Sequence, residues 1–300
     1  MAYINLFGRE DRLGGNITIM LSQILYAVNN DLCIMYNKDY IENVCGMKYN
    51  SSIFMLSLYD FIDKYNGKHN NKFDFLVDIK VLDYFHMLSQ ATINIKTDLI
   101  SFFENNIYSE IRPMLINRAN EMNYTIPFDP KKTILVHLRL DDVRNIPDYD
   151  GRICANFFRQ RIDNDEIINT ANTHDVCNSL NRYKCENSQI LNHQSPLSPN
   201  KVKEQINLAL AKYSDRKVII ITNPGENISD YPYDYICSDD PSYDLFLLCN
   251  SEVVILSRST YSVSALFFGI AKEAYIPLWG HIPCYGLYTK YDNKKYNYFY

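Results

Sequence analysis

The sequence has no long apolar run. No stretch of its 300 residues approaches the roughly 20 consecutive apolar residues that a membrane-spanning helix needs. The first residues, MAYINLFGRED, lack the basic segment followed by an apolar one that marks a secretion signal. These two absences predict a protein without a membrane span and with a cytoplasmic location.

A basic stripe and a paired-cysteine motif are also missing. The formal net charge is −5 and Lys and Arg are scattered, so a nucleic-acid or membrane-binding surface is not expected. The eight cysteines include no Cys-x-x-Cys pair and no Cys/His spacing typical of zinc. Cys33 and Cys249 lie among apolar residues, which predicts buried free thiols. The cysteines, without an export signal, indicate a reducing compartment.

The apolar patterning of the first half predicts a βαβ unit. YINLF reads as a strand, a glycine loop follows, a helical pattern runs from Thr18 to Asn30, and LCIMY is a second strand. A later stretch, SFFENNIYSEIRPMLINRANEM, is typical of a helix with a break near Pro113. Strands that alternate with helices in this way imply a parallel sheet.

The second half repeats this alternation. Prolines in YTIPFDPKKT precede a fresh apolar run, which predicts a boundary between residues 1–127 and residues 128–300. A polar, loop-rich insertion follows around 144–200. Helical and strand patterns then alternate up to AYIPLWG, the predicted last strand. The expected fold is therefore α/β, with two Rossmann-like domains.

The first candidate site is the loop RLGGN between the first strand and the first helix. Gly14 and Gly15 permit positive φ and a close approach of the backbone, and the helix offers free N–H groups to an anion or a sugar hydroxyl. The alternative is a tight turn in which Asn16 caps the helix.

The second candidate site ends the apolar run KKTILV. His137 and Arg139 follow it and, being two residues apart on a strand, share a face. A guanidinium at a strand end can bind a phosphate through two hydrogen bonds. The alternative is an ion pair between Arg139 and Asp141 or Asp142, with His137 a hydrogen-bonded core residue.

The third candidate site is SRSTYS, where a predicted strand passes into a helix. Ser259, Thr260 and Ser262 could form the cap and first turn of that helix, or present hydroxyl and N–H groups to a diphosphate. An arginine and a helix N-terminus at one site would together make a metal-free diphosphate cradle.

These three motifs, in this order, resemble those of the fucosyltransferases of GT-B architecture. That group includes the α1,2- and α1,6-fucosyltransferases and the protein O-fucosyltransferases, and the α1,2 motifs run approximately G-x-G-N-Q, H-x-R-R-G-D-Y and N-S-T-F-S-W-W. HLRLDD is also similar to the O-fucosyltransferase motif. The resemblance implies two domains facing each other across a cleft, residues 1–127 on the acceptor side and 128–300 on the donor side.

The resemblance further implies inverting, metal-independent transfer of a sugar, L-fucose from GDP-fucose, to a hydroxyl of a glycan or glycoprotein. Arg139 would stabilise the β-phosphate of the departing GDP, and Asp142 takes the place of the family's Asp. The remaining donor-binding positions would be Gly14, Gly15, Asn16, His137, Ser259, Thr260, Tyr261 and Ser262.

The motifs also depart from the family. Leu140 stands where the α1,2 and α1,6 groups have a second arginine, and Asp141 replaces a glycine. Val263 and Ser264 replace the two tryptophans. These departures make GDP a firmer expectation than fucose, and they leave a different nucleotide sugar open as an alternative.

The catalytic base is open among several aspartates. Asp11 lies beside the glycine loop and Asp142 ends the second motif, while Asp148 and Asp150 lie in the insertion. A carboxylate could take the proton of the acceptor hydroxyl, although a dissociative path does not require a strong base. Each of these aspartates could equally be a solvated loop residue.

Two further alternatives belong to other classes. A dinucleotide-binding oxidoreductase would need G-x-G-x-x-G, whereas here the two glycines are adjacent and no third follows. A non-catalytic sugar-binding protein on the same scaffold stays open. Asn16 heads an N-glycosylation sequon inside the candidate site, and a glycan there would block it, which supports the cytoplasmic expectation.

Overall fold

The chain divides into two compact units, Met1–Tyr124 and Thr125–Tyr300. The computed structural model describes residues 1–8, 10–43, 46, 48–69, 73–77, 101–140, 195–277 and 295–299. Among these residues, each unit contains one sheet, and every strand pairing is parallel. The predicted α/β class is therefore confirmed.

The first unit has a three-stranded sheet with the order β2-β1-β3. Its strands are β1 (Ala2–Asn5), β2 (Cys33–Met35) and β3 (Phe75–Leu76). Its helices are α1 (Leu13–Asn29), α2 (Lys38–Asn43), α3 (Ile53–Lys68), a π-helical segment (Phe103–Ile111) and α4 (Arg112–Glu121).

Helix α1 begins five residues before the Thr18 that the apolar pattern predicts. Gly14 and Gly15 lie inside its first turn, and neither has positive φ. The helix is buried nearly all round, so the packing that stabilises it offsets the poor helix propensity of two glycines. The loop before the helix is correspondingly shorter than expected.

The predicted break at Pro113 is also wrong. The π-helical segment runs directly into α4, and Pro113 lies in the first turn of α4. Proline lacks an N–H group, and the first turn of a helix tolerates that loss. The helix therefore changes its hydrogen-bonding pattern near the proline and continues.

The second unit has a six-stranded sheet with the order β6-β5-β4-β7-β8-β9. Its strands are β4 (Thr133–His137), β5 (Lys217–Ile221), β6 (Asp234–Ile236), β7 (Val253–Ile255), β8 (Glu273–Pro277) and β9 (Lys295–Phe299). Its helices are α5 (Pro199–Lys212), α6 (Pro241–Cys249) and α7 (Thr260–Phe268). AYIPLWG, which contributes to β8, is not the last strand, because β9 pairs along its outer edge.

Strand order in the second sheet is that of a doubly wound fold. Counted from β4, the strands are arranged 3-2-1-4-5-6, and β4 and β7 lie side by side where the order reverses. In such sheets a ligand binds outside the carboxyl ends of the two central strands. The residues that follow β4 and β7 are therefore expected to contact a ligand.

An apolar cluster of the second unit lies beneath those strand ends. It includes Ile134, Val136, Leu138 and Leu197, and the half-buried Leu140 packs against it. Fully burying a side chain of this size contributes about 2 kcal/mol. The backbone on which the second motif stands is thus fixed by the core.

Two expectations from composition can be compared with the described residues. Cys33 and Cys249 are buried free thiols, as predicted. Within the described ranges, none of the helices combines the length and the apolar character that crossing a bilayer requires.

Candidate functional site at the ends of β4 and β7

The end of β4 carries His137 into a cluster of hydroxyl groups. Nδ1 of His137 contacts the hydroxyl oxygens of Ser257 (2.7 Å) and Ser262, and these two oxygens are 2.9 Å apart. The backbone N–H of Ser257 also donates to the Ser262 hydroxyl. Ser257 follows β7 and Ser262 lies in α7, so the cluster joins three elements of the second unit.

His137 is neutral, and its Nδ1 accepts a hydrogen bond in this cluster. Burial, with a smaller contribution from the Arg139 guanidinium, lowers the pKa of its imidazole from 6.5 to about 3. The protons of both hydroxyls find acceptors inside the cluster only if Nδ1 accepts one of them, which leaves the ring proton on Nε2. The residue is 7% exposed, and its neutral ring has one N–H, on Nε2, to offer to a ligand.

Arg139 lies beside the start of α7. Its Nη1 donates to the backbone carbonyl of Arg258, 3.3 Å away, and Arg258 directly precedes the residue that caps α7. Arg139 is half-buried and therefore within reach of a ligand. The tertiary structure thus brings the second and third motifs together, with a guanidinium next to a helix N-terminus.

Some polar groups in the first turn of α7 are buried in hydrogen bonds within the protein, and others are accessible to a ligand. The Ser259 hydroxyl accepts from the Tyr261 N–H (3.2 Å) and is the N-cap, while Ser262 is buried in the hydroxyl cluster. Tyr261 donates its hydroxyl to the Pro241 carbonyl (2.6 Å) and packs near the His137 ring. Thr260 and Tyr261 are half-buried and form the part that a ligand can contact.

The glycine loop of the first unit is shaped around Asp11. A Cβ atom on Gly15 would fall 2.1 Å from Oδ2 of Asp11, so the carboxylate lies directly against the glycine. Oδ1 of Asp11 accepts from the N–H of Arg12, the N-cap residue of α1 (2.7 Å). The carboxylate of the chain itself therefore occupies the helix N-terminus that the sequence offered to an anion.

Asn16 has a structural position in this loop. Its side-chain amide donates to the carbonyls of Asp11 (3.0 Å) and Lys48 (2.9 Å), and the residue is 0% exposed. It is not the cap of α1, which is Arg12. Gly14, Gly15 and Asn16 are all buried, so their assignment to the donor sugar stays a prediction.

The remaining predicted site residues lie outside the described part of the chain. These are Asp141, Asp142, Asp148 and Asp150, together with most of the insertion around 144–200. Among the described residues, no group of three or more His, Cys, Asp and Glu side chains could hold a metal ion. Metal independence stays a prediction.

Comparison with known proteins adds a structural likeness. No family model matches the chain, and no curated protein matches it. The structure is similar to solved structures of POFUT1, a protein O-fucosyltransferase. These neighbours belong to the GT-B fucosyltransferases, the group that the three motifs resemble.

Three of these structures illustrate the extent of the likeness. The GDP complex of POFUT1 has 10% identity and a TM-score of 0.35, over 99% of this chain and 98% of that one. The apo form has 11% identity and a TM-score of 0.36, over 99% and 97%. A GDP-fucose complex has 11% identity and a TM-score of 0.28, over 99% and 74%. Since these scores are low, the residues of the site have to carry the functional conclusion.

Asp244 is a further candidate residue that the sequence motifs did not reveal. It lies in the first turn of α6, whose first residue Pro241 accepts the Tyr261 hydroxyl. The residue is 5% exposed, and burial raises the pKa of its carboxyl to about 6 although hydrogen bonds from Ser238 lower it. Its Oδ1 is buried with no hydrogen-bond partner among the described residues. An aspartate in the otherwise apolar DLFLLC was the available sequence signal.

Proposed function

We propose that the protein is an inverting, metal-independent glycosyltransferase that moves L-fucose from GDP-fucose to a hydroxyl of a glycan or glycoprotein. The observation that carries this proposal is the 3.3 Å contact between Nη1 of Arg139 and the carbonyl of Arg258, at the N-terminus of α7. A cation and a helix N-terminus that converge at the switch point of a doubly wound sheet make a site for a diphosphate.

The chemistry follows from the charge that such a site favours. Breaking the bond between the sugar and the diphosphate builds negative charge on the leaving GDP, and fixed donors aimed at that charge lower the barrier. Arg139 supplies two parallel N–H donors, and the first turn of α7 supplies backbone N–H groups. The neutral His137 supplies one N–H from Nε2 and adds no further cation.

The acceptor hydroxyl attacks the face of the sugar opposite to the leaving group, which inverts the anomeric centre. A carboxylate that takes the hydroxyl proton would assist this step. The proposed bases are Asp11, which lies beside the glycine loop of the first unit, and Asp142, which ends the second motif. In a dissociative transition state, in which the bond between the sugar and the phosphate is already largely broken, the rate would depend little on either carboxylate.

A panel of nucleotides tests the proposal directly. The thermal shift of the protein is measured with GDP, UDP, ADP and GDP-fucose, and donor hydrolysis is followed as release of the nucleotide. We expect GDP and GDP-fucose to raise the Tm and GDP to be released from GDP-fucose. Stabilisation by UDP and not by GDP would instead support another nucleotide sugar, the alternative that the leucine at position 140 leaves open. Stabilisation by GDP-fucose without any turnover would support a non-catalytic binding protein.

Asp244→Asn tests whether the base of the nucleotide is guanine. A carboxylate oxygen without a partner can accept from the N1–H and N2–H groups of guanine, which uracil does not present in this pattern. We expect the variant to bind GDP about 10- to 100-fold more weakly, the loss typical of a charged hydrogen bond, with no matching loss for UDP. Isothermal titration measures both affinities, and an equal loss for both nucleotides would contradict the assignment.

The same variant has a pH signature in stability. The Asp244 pKa is raised, so the buried carboxylate costs stability as the pH rises from its ordinary 3.8 through about 6. We expect Asp244→Asn to unfold at a higher temperature than the wild type at pH 8 and to lose this advantage below pH 4. Because a binding loss accompanied by higher stability is not a folding defect, the two measurements separate the roles.

A further inference from the structure

Arg258 is a buried arginine next to the candidate phosphate-binding arginine. It follows the end of β7 and is 1% exposed, and it is the bulkiest fully buried side chain among the described residues. Its Nη1 donates to the Ser195 hydroxyl over 2.9 Å, while its backbone carbonyl accepts from Nη1 of Arg139. One residue therefore contacts Arg139 through its backbone and Ser195 through its side chain.

The contact between Arg258 and Ser195 lies next to the apolar cluster of the second unit in the chain. Leu197, two residues after Ser195, belongs to the apolar cluster that contains Leu138 and against which Leu140 packs. The leucine at position 140 thus extends the core at the position where the α1,2 and α1,6 fucosyltransferase motifs, which this chain resembles, have a second arginine. A second guanidinium nevertheless lies at this edge of the sheet, and it comes from β7.

Burying a guanidinium is costly unless it forms hydrogen bonds. The hydrogen bond between the Arg258 side chain and Ser195 therefore holds the backbone around Arg258 in place. That backbone holds the Arg258 carbonyl, which receives Arg139, and then Ser259, which caps α7. Both elements of the diphosphate cradle therefore depend on where residues 257–259 are held.

We infer that Arg258 is a positioning residue for diphosphate binding: its side chain, anchored on Ser195, sets the place of Arg139 and of the α7 N-terminus. The inference deepens the proposed function and rests on it. Arg258 itself is too deeply buried to contact the ligand. Its effect passes through Arg139, which makes the two residues energetically coupled.

A double-mutant cycle tests the coupling. GDP affinity is measured by isothermal titration for Arg258→Met, Arg139→Ala and the double variant. We expect Arg258→Met to weaken GDP binding about 10-fold in the wild-type background and less than about 2-fold in the Arg139→Ala background, since residues that act through one another are non-additive. Ser195→Ala is expected to weaken binding about 3-fold with the same dependence on Arg139, in line with one neutral hydrogen bond.

Arg216→Met is the matched control. Arg216 is another largely buried arginine of the second unit, paired with Glu252 at 3.3 Å and stacked on Tyr213. Its loss should lower the Tm and leave GDP affinity unchanged. A general loss of folding caused by removing a buried arginine would thus appear in the Tm of both variants and in the affinity of neither.

The possible results separate the two proposals. Equal effects of Arg258→Met with and without Arg139 would overturn the positioning role. Unchanged GDP affinity in Arg139→Ala would overturn the proposed function of the site. If Arg258→Met does not fold, Ser195→Ala in both backgrounds decides the coupling by itself, because it removes the hydroxyl that accepts from Arg258 and keeps the arginine. The longer contact of Arg258 Nη1 with the Ser195 carbonyl, 3.5 Å, is unchanged in this variant.

Discussion

We expect the replacement of Arg139 with Ala to lower the kcat of the proposed transfer from GDP-fucose by about 100- to 1,000-fold, the loss typical of a donor that stabilises a developing anion. GDP affinity falls as well, because the product carries the same diphosphate. The physical reason is the position of the guanidinium beside the N-terminus of α7, where a diphosphate would receive donors from both. The formation of GDP, bound or free, in quenched single-turnover reactions measures the chemical step apart from product release.

Arg139→Lys and Arg118→Ala make the test specific. Lysine keeps the charge but not the two parallel donors, so it should recover only part of the lost rate. Arg118 pairs with Asp60 in the first unit through two hydrogen bonds of 2.9 Å, and its removal should leave kcat unchanged because this half-buried ion pair does not belong to the strand ends that carry Arg139. Wild-type turnover by Arg139→Ala would exclude the proposed role of this arginine.

Glu273→Gln should cost stability without affecting the site. Glu273 begins β8 and is 2% exposed, and its carboxylate accepts hydrogen bonds from Lys212, Tyr213 (2.7 Å) and Asn297 (2.9 Å). These contacts outweigh its burial and lower the pKa of the carboxyl from 4.5 to about 2. We expect the variant to lose about 2 kcal/mol in the free energy of unfolding, the cost of weakening hydrogen bonds to a charged group.

The pH dependence gives this prediction its sign. Since the pKa of Glu273 is lowered in the folded protein, its stabilising contribution is complete above about pH 4.5 and is lost as the pH falls towards 2. The difference in Tm between wild type and Glu273→Gln, about 4–8 °C at pH 7 if the second unit unfolds by itself, should therefore shrink below pH 4.5. A difference that is constant from pH 7 to pH 3 would contradict the assigned cause. GDP affinity should match that of the wild type at pH 7.

Local patterns in the sequence were sufficient to place the second and third motifs at the ends of strands. ILV before His137 and VVIL before Ser257 are short, β-rich apolar runs, and charged or hydroxyl residues directly after such runs have to lie at a strand end. The helix after Ser259 follows from its capping residue. The convergence of Arg139 and α7 could be inferred because parallel strands bring their carboxyl ends to one edge.

The glycine loop shows where local patterns fail. Gly14 and Gly15 are ordinary loop residues by propensity, yet they lie in a helix whose burial outweighs that propensity. Asn16 matched a ligand-binding motif, but both hydrogens of its amide are used by backbone carbonyls, one of them 32 residues away at Lys48. No local rule reports a partner so distant in the chain.

The sequence by itself determined the α/β class and the candidate second and third motifs, because hydrophobic periodicity and capping act over a few neighbouring residues. Tertiary structure alone decided which polar groups support the site and which face outward. Ser262 is buried against His137, Arg258 is anchored on Ser195, and Asp244 has a carboxylate oxygen that no described residue contacts by a hydrogen bond. These assignments depend on burial and on hydrogen bonds between residues far apart in the chain, and only the packed fold brings such residues within 3 Å of each other.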